Sequence, residues 1–150
     1  MTITTKDVPA LILLSTATKL SGFPDVPAFA QKSHPLLYAK TKTLNVQIAG
    51  PEVFIYHFLP EGGIDLRIGI PIREAKGDAA PFEFFTTGPL KCASCVHKGS
   101  MKTIGVSWDA LTHGTQDKKL EFTNECREVY LVWKDFDSAE NVTELQRILK

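Results

Sequence analysis

Apolar and polar positions divide the chain into short strand-like runs, with two longer stretches at helical spacing between them. Two runs carry most of the pattern. Gly50-Pro51 introduces Glu52-Val53-Phe54-Ile55-Tyr56-His57, and beyond the Gly62-Gly63 pair comes Ile64-Asp65-Leu66-Arg67-Ile68-Gly69-Ile70-Pro71-Ile72. Later, Arg127-Glu128-Val129-Tyr130-Leu131-Val132-Trp133 leads through a polar turn to Thr143-Glu144-Leu145-Gln146-Arg147-Ile148-Leu149. Aromatic and β-branched runs of this length, bounded by Gly, Pro and polar clusters, predict two hairpins. Each first strand carries a glutamate.

Ahead of the first hairpin, Val8 to Lys19 is rich in Leu, Ile and Thr and reads as a strand. Gly22, Pro24 and Pro27 break it. Asp25 is placed to cap a helix in which Val26, Phe29, Ala30, Leu36, Leu37 and Tyr38 recur near helical spacing up to about Lys42. Pro35 is predicted to kink or interrupt that helix. Residues 73–81 are polar and read as a linker, 82–85 as a short strand, and Leu90 to His97 as a further strand. Ser100 can cap a second helix carrying Ile104, Val106, Trp108 and Leu111, with a stop near His113-Gly114. Strand, helix, strand, strand thus occurs twice, over about 8–72 and 82–150. This predicts an α+β domain spanning 1–150, in which duplicated βαββ units form a pseudo-twofold antiparallel sheet with two main helices.

Composition narrows the function. An apolar fraction of 43% with 17 basic against 17 acidic residues lacks the basic excess that phosphate backbones require, so no direct nucleic-acid binding is expected. The apolar run Ala10-Leu11-Ile12-Leu13-Leu14 is too short to span a bilayer and lacks a basic flank, which points to a cytoplasmic protein with no membrane role. Three cysteines do not make a secreted disulfide framework. Cys92-Ala93-Ser94-Cys95 places its two thiols on opposite faces of a strand, and no fourth ligand joins Cys95, His97 and Cys126, so neither a metal nor any other cofactor is expected.

The candidate chemistry lies on the hairpins. On a strand, Glu128, Tyr130 and Val132 share one face, while Arg127, Val129, Leu131 and Trp133 share the other. Arg127 could pair with Glu128 or point away. Glu52 with Phe54 and Tyr56 repeats the motif. A carboxylate beside aromatic rings suits a hydrophobic cation, by charge pairing and cation–π attraction together. Trp108 can serve both the core and a ligand. Trp133 and Phe54 are expected to pack in the core, and His57 in the core or at an edge.

These stretches, together with His97-Lys98-Gly99-Ser100 and Trp108 with Leu111, resemble the GyrI-like family, the effector-binding domain of multidrug-sensing transcription regulators. The likeness covers nearly the whole chain in family order. It implies a pocket for bulky, often cationic aromatic compounds, with Glu128 as the acidic residue, Tyr130 as the strand tyrosine and Trp108 as the helix aromatic. Glu52, Phe54, Tyr56 and Tyr38 are further ligand-binding candidates. Because the first strand begins almost at once, no DNA-binding domain is expected ahead of it. The leading expectation is a stand-alone binding protein for a cationic aromatic small molecule. Some relatives are hydrolases of cyclopropane-bearing electrophiles, and here Glu128 and Tyr130 would be the catalytic pair. A third branch inhibits DNA gyrase and would imply a protein partner.

Overall fold

The computed structural model describes residues 2–150. Eight strands and two α-helices follow one another as β1 (Thr4–Val8), β2 (Ile12–Leu20), α1 (Val26–Leu44), β3 (Val53–Phe58), β4 (Ile64–Pro71), β5 (Glu83–Thr86), β6 (Leu90–Lys98), α2 (Ile104–Asp117), β7 (Phe122–Val132) and β8 (Val142–Leu149). The chain forms two compact units. The fold is α+β, and every strand pairing described below is antiparallel.

The first unit, Ala10–Gly88, orders its strands β3-β4-β2-β5. Leu13, Leu14, Leu66, Ile68 and Ile70 are wholly buried, as is Leu37 of α1, which packs on β2 and β4. Gly62 and Gly63 turn the β3–β4 hairpin with positive φ, and a Cβ on Gly63 would lie 2.8 Å from the Leu20 carbonyl oxygen. Helix α1 runs unbroken through Pro35, against the expected interruption. Its buried contacts on both sides of that residue, Ser33, Leu37 and Thr41, hold it to the sheet despite the one N–H that proline cannot supply. Asp25 stands at the N-cap position but makes no side-chain cap; its carboxylate instead accepts from the Ser21 hydroxyl at 2.6 Å. Asn45, in the left-handed region, ends the helix.

The second unit comprises Pro89–Lys150 together with β1 and has the strand order β1-β6-β8-β7. Ala93, Cys95, Leu111 and Leu145 form its core beneath α2, and Ile3, Ile104, Trp108 and Leu149 pack against them. The Ser100 side chain accepts from the Lys102 amide, as a cap should, although a 3₁₀ turn at Met101–Thr103 comes before α2. His97 reinforces this joint. Its Nε2 contacts the Ser100 carbonyl oxygen at 3.0 Å and its Nδ1 the Ser107 hydroxyl at 2.7 Å. A carbonyl can only accept, so Nε2 carries the proton and Ser107 donates to Nδ1. The helix continues past Gly114 to Asp117. Gly114 is no stop signal: a Cβ there would fall 2.0 Å from Ile3 Cδ1, so glycine makes room for that side chain.

Each unit therefore repeats one strand order, with the expected βαββ core plus a short outer strand. That outer strand is exchanged in sequence. β5, assigned by spacing to the second repeat, pairs with β2, and β1 pairs with β6. The expected strand Val8 to Lys19 is in fact two, parted at Pro9, with its first part in the other unit. Among the described residues no helix is long and apolar enough to cross a membrane.

Candidate functional site

In the second unit, Glu128 lies mid-strand on β7, opposite Leu145 of β8, with its side chain 4% exposed. Two neutral donors are among the partners of the carboxylate. Trp108 Nε1 donates to Oε2 at 2.9 Å and the Tyr130 hydroxyl to Oε1 at 2.7 Å. Strand periodicity brings Tyr130 to the same face two residues on, and α2, seated by Leu111 and Ser107, delivers Trp108 from above. The Trp133 ring stands edge-on to Tyr130, centroids 5.6 Å apart, and is 44% exposed. The core role expected for Trp133 is thus corrected: β7 ends at Val132, and beyond its last ladder pair the ring leaves the sheet.

Arg127 takes the opposite face and pairs not with Glu128 but with Glu125, Nε to Oε2 at 2.6 Å. That face carries its own polar network, with Lys6 paired to Glu144 and Gln146 Nε2 donating to the same carboxylate. The alternation of β7 alone decides which way Arg127 turns.

In the first unit, Glu52 stands immediately before β3 and is 5% exposed. His34 Nδ1 lies 2.7 Å from Oε2, and Tyr38 is near enough for the two groups to act on each other's ionisation. Oε1 is buried without a hydrogen-bond partner. Burial pushes the Glu52 carboxyl up, against the lowering pull of His34 and the Tyr38 hydrogen bond. The folded chain therefore holds this proton more tightly than the unfolded chain does, and Glu52 costs stability as pH rises through and above its ordinary range. Phe54 and Tyr56 are buried opposite Ile68 and Leu66, and Phe23, an aromatic with no part in the sequence reading, packs on Tyr56 with ring centroids 5.3 Å apart.

Tyr38 feels this carboxylate. Burial first, then the Glu52 charge and hydrogen bond, push its phenol from 10.0 up to about 12. A spectrophotometric titration, with Tyr38→Phe as the reference, should show that phenolate forming near 12. Glu52→Gln should bring it part of the way back toward 10, since two of the three causes belong to Glu52. A midpoint unchanged by that substitution would contradict the contact.

The sequence-expected residues therefore gather around two carboxylates, one in each unit: Glu128 with Trp108 and Tyr130, and Glu52 with Tyr38. His34, missed by the sequence reading, completes the second; its spacing of four from Tyr38 on a helix was the available signal. The two glutamates do not occupy the same place in their hairpins, one being mid-strand and the other ahead of the strand. The three cysteines are free and buried, and Cys92 packs with Val8 and Ile148 while Cys95 packs beneath α2, on the other face as expected. Burial pushes the thiol of Cys126 up to about 12 and those of Cys92 and Cys95 to about 11. Among the described residues no cluster of three or more His, Cys, Asp or Glu side chains could hold a metal ion.

Comparison with solved structures identifies the fold. The crystal structure of the EcmrR C-terminal domain superposes with a TM-score of 0.82 at 19% identity, covering 99% of this chain and 97% of that one. SAV2435 bound to tetraphenylphosphonium gives 0.72 at 13% identity, over 100% of this chain and 94% of that one. The chain has a GyrI-like fold. The hydrolase encoded by lin2189 from Listeria innocua shares the GyrI-like architecture at a TM-score of 0.60 and 13% identity, covering 95% of this chain and 90% of that one. No protein-family model matches the sequence, and no curated protein matches it. At these identities the likeness is one of backbone, so the site must be argued from the side chains.

Proposed function

We propose that the protein is a small-molecule-binding module whose ligand is a lipophilic aromatic cation drawn to Glu128. The observation that carries this reading is the way the buried carboxylate is held. Its two oxygens accept from the Trp108 indole and the Tyr130 phenol, both neutral groups and both mounted on aromatic rings. Burial strengthens the field of the charge, because there is little water to screen it. The rings of Trp108 and Tyr130, each partly exposed, offer electron-rich faces beside that charge, and Trp133 adds a third. Tetraphenylphosphonium in the similarly folded SAV2435 belongs to this ligand class.

The same geometry weighs against the hydrolase alternative. A general base would have to surrender both donors before it could take a proton from water, and the Tyr130 proton is already directed at Glu128 rather than outward.

Titration with tetraphenylphosphonium, followed by tryptophan fluorescence, should give a saturable change, and the neutral triphenylphosphine oxide should give a much weaker one. Equal responses to both, or none to either, would overturn the assignment. Release of product from an electrophilic substrate, lost in a Glu128 variant, would favour the hydrolase instead.

A further inference from the structure

Glu52 belongs to a different unit from Glu128, and its carboxylate is held differently. Both oxygens of Glu128 already accept from aromatic donors. Glu52 meets His34 at Oε2, but its Oε1 is buried without a hydrogen-bond partner. A buried acceptor left in that state is costly, and the groups that could relieve it must bring an N–H or O–H. The surroundings define what else such a group should carry. The His34 and Tyr38 rings lie 4.8 Å apart, centroid to centroid, one helical turn from each other on α1. His34 is the exposed member of the cluster, 47% accessible at its side chain against 5% for Glu52.

From this juxtaposition we propose that Glu52, His34 and Tyr38 form a second binding site, selective for a protonated primary or secondary amine attached to an apolar or aromatic body. The ammonium N–H donates to Glu52 Oε1, its charge meets the carboxylate, and its body rests on the Tyr38 ring. A quaternary ammonium or a phosphonium is excluded for two reasons. It has no N–H to satisfy Oε1, and its substituents hold the charge away from the oxygen. A site built around an unmet acceptor discriminates strongly against an analogue lacking the donor. The Glu128 cluster, with its acceptors occupied, has no such requirement. The two sites would then divide cations by chemistry: one for those without N–H, one for those with it. This proposal uses none of the residues assigned to the Glu128 site and can stand or fall apart from it.

The test compares benzylammonium with benzyltrimethylammonium at pH 7, against the wild type, Glu52→Gln and Glu128→Gln. Glu52→Gln should weaken benzylammonium roughly tenfold or more, the scale of one charge-assisted hydrogen bond, while Glu128→Gln should leave it unchanged. Unaltered benzylammonium affinity in Glu52→Gln, or a loss that follows Glu128→Gln instead, would overturn the second site and leave the first intact. Should Glu52→Gln not fold, nitrogen-detected spectra of the wild-type His34 imidazole decide the matter, with the signal identified by its disappearance in His34→Asn. Benzylammonium should shift that resonance saturably and benzyltrimethylammonium should not. No shift with the amine, or equal shifts with both, would overturn the proposal.

Discussion

Glu128→Gln should weaken a lipophilic aromatic cation by roughly 200-fold, from a loss of about 3 kcal/mol of Coulomb attraction at an effective dielectric near 20 and a separation near 5 Å. A neutral ligand of similar shape should change by less than about threefold, because the substitution conserves volume and apolar area. The substitution is not silent for the protein itself. Trp108 Nε1 and the Tyr130 hydroxyl both donate to the carboxylate, and a glutamine amide can accept at only one of its two terminal atoms. Whichever way the amide lies, one donor faces an NH₂ group, at a cost of about 1–3 kcal/mol. Trp108→Phe in the Glu128→Gln background should recover part of that cost by removing the mismatched donor. Chemical denaturation gives the stability and fluorescence titration the affinity, so the two effects separate. Equal loss for cation and neutral analogue would show that Glu128 shapes the site without supplying its charge.

The chain shows its local elements plainly and its long-range pairings hardly at all. The period of two across Arg127 to Tyr130 suffices to set Glu128 and Tyr130 on one face and Arg127 on the other, and the structure agrees up to the irregularity that follows Tyr130. Likewise, the Gly-Gly turn and its flanking apolar runs lead directly to the β3–β4 hairpin. The short strands β1 and β5 are another matter. Their burial patterns are mostly exposed, so hydrophobicity says little about which neighbour they join, and the ladders that decide it connect residues far apart in sequence. Trp133 and Gly114 mislead for related reasons. A tryptophan after a buried strand looks like core until the strand is seen to end, and a helical glycine looks like a stop until Ile3 is found against it. The Glu52 cluster falls between these cases. Glu52 and Tyr38 were individually visible and His34 was not, and their meeting depends on how α1, packed on β2 and β4, comes against the residue ahead of β3, which is a tertiary fact.

The same packing argument gives the largest stability effect expected outside the site. Leu111 is wholly buried in the core beneath α2, with Ala93, Cys95 and Leu145 around it, and it follows Trp108 by one helical turn. Leu111→Ala removes a wholly buried side chain and leaves a gap beside Ala93, Cys95 and Leu145, which are held on β6 and β8. The loss should be about 2–5 kcal/mol, from the transfer term and the cavity left behind. For a chain of this size that is a fall in Tm of roughly 6–15 °C. Leu36→Ala on the solvent side of α1, where the side chain is 53% exposed, should change stability by less than about 0.5 kcal/mol and serves as the control. The consequence reaches the site through geometry. The hydrogen bond from Trp108 to Glu128 depends on the seating of α2, and Leu111 is central to that seating. Cation affinity in Leu111→Ala should therefore fall even at temperatures where the variant remains folded, with the tryptophan emission shifted to the red as the indole gains water. A variant that loses stability but keeps full affinity and an unshifted emission would mean that Trp108 is held by contacts other than the α2 core.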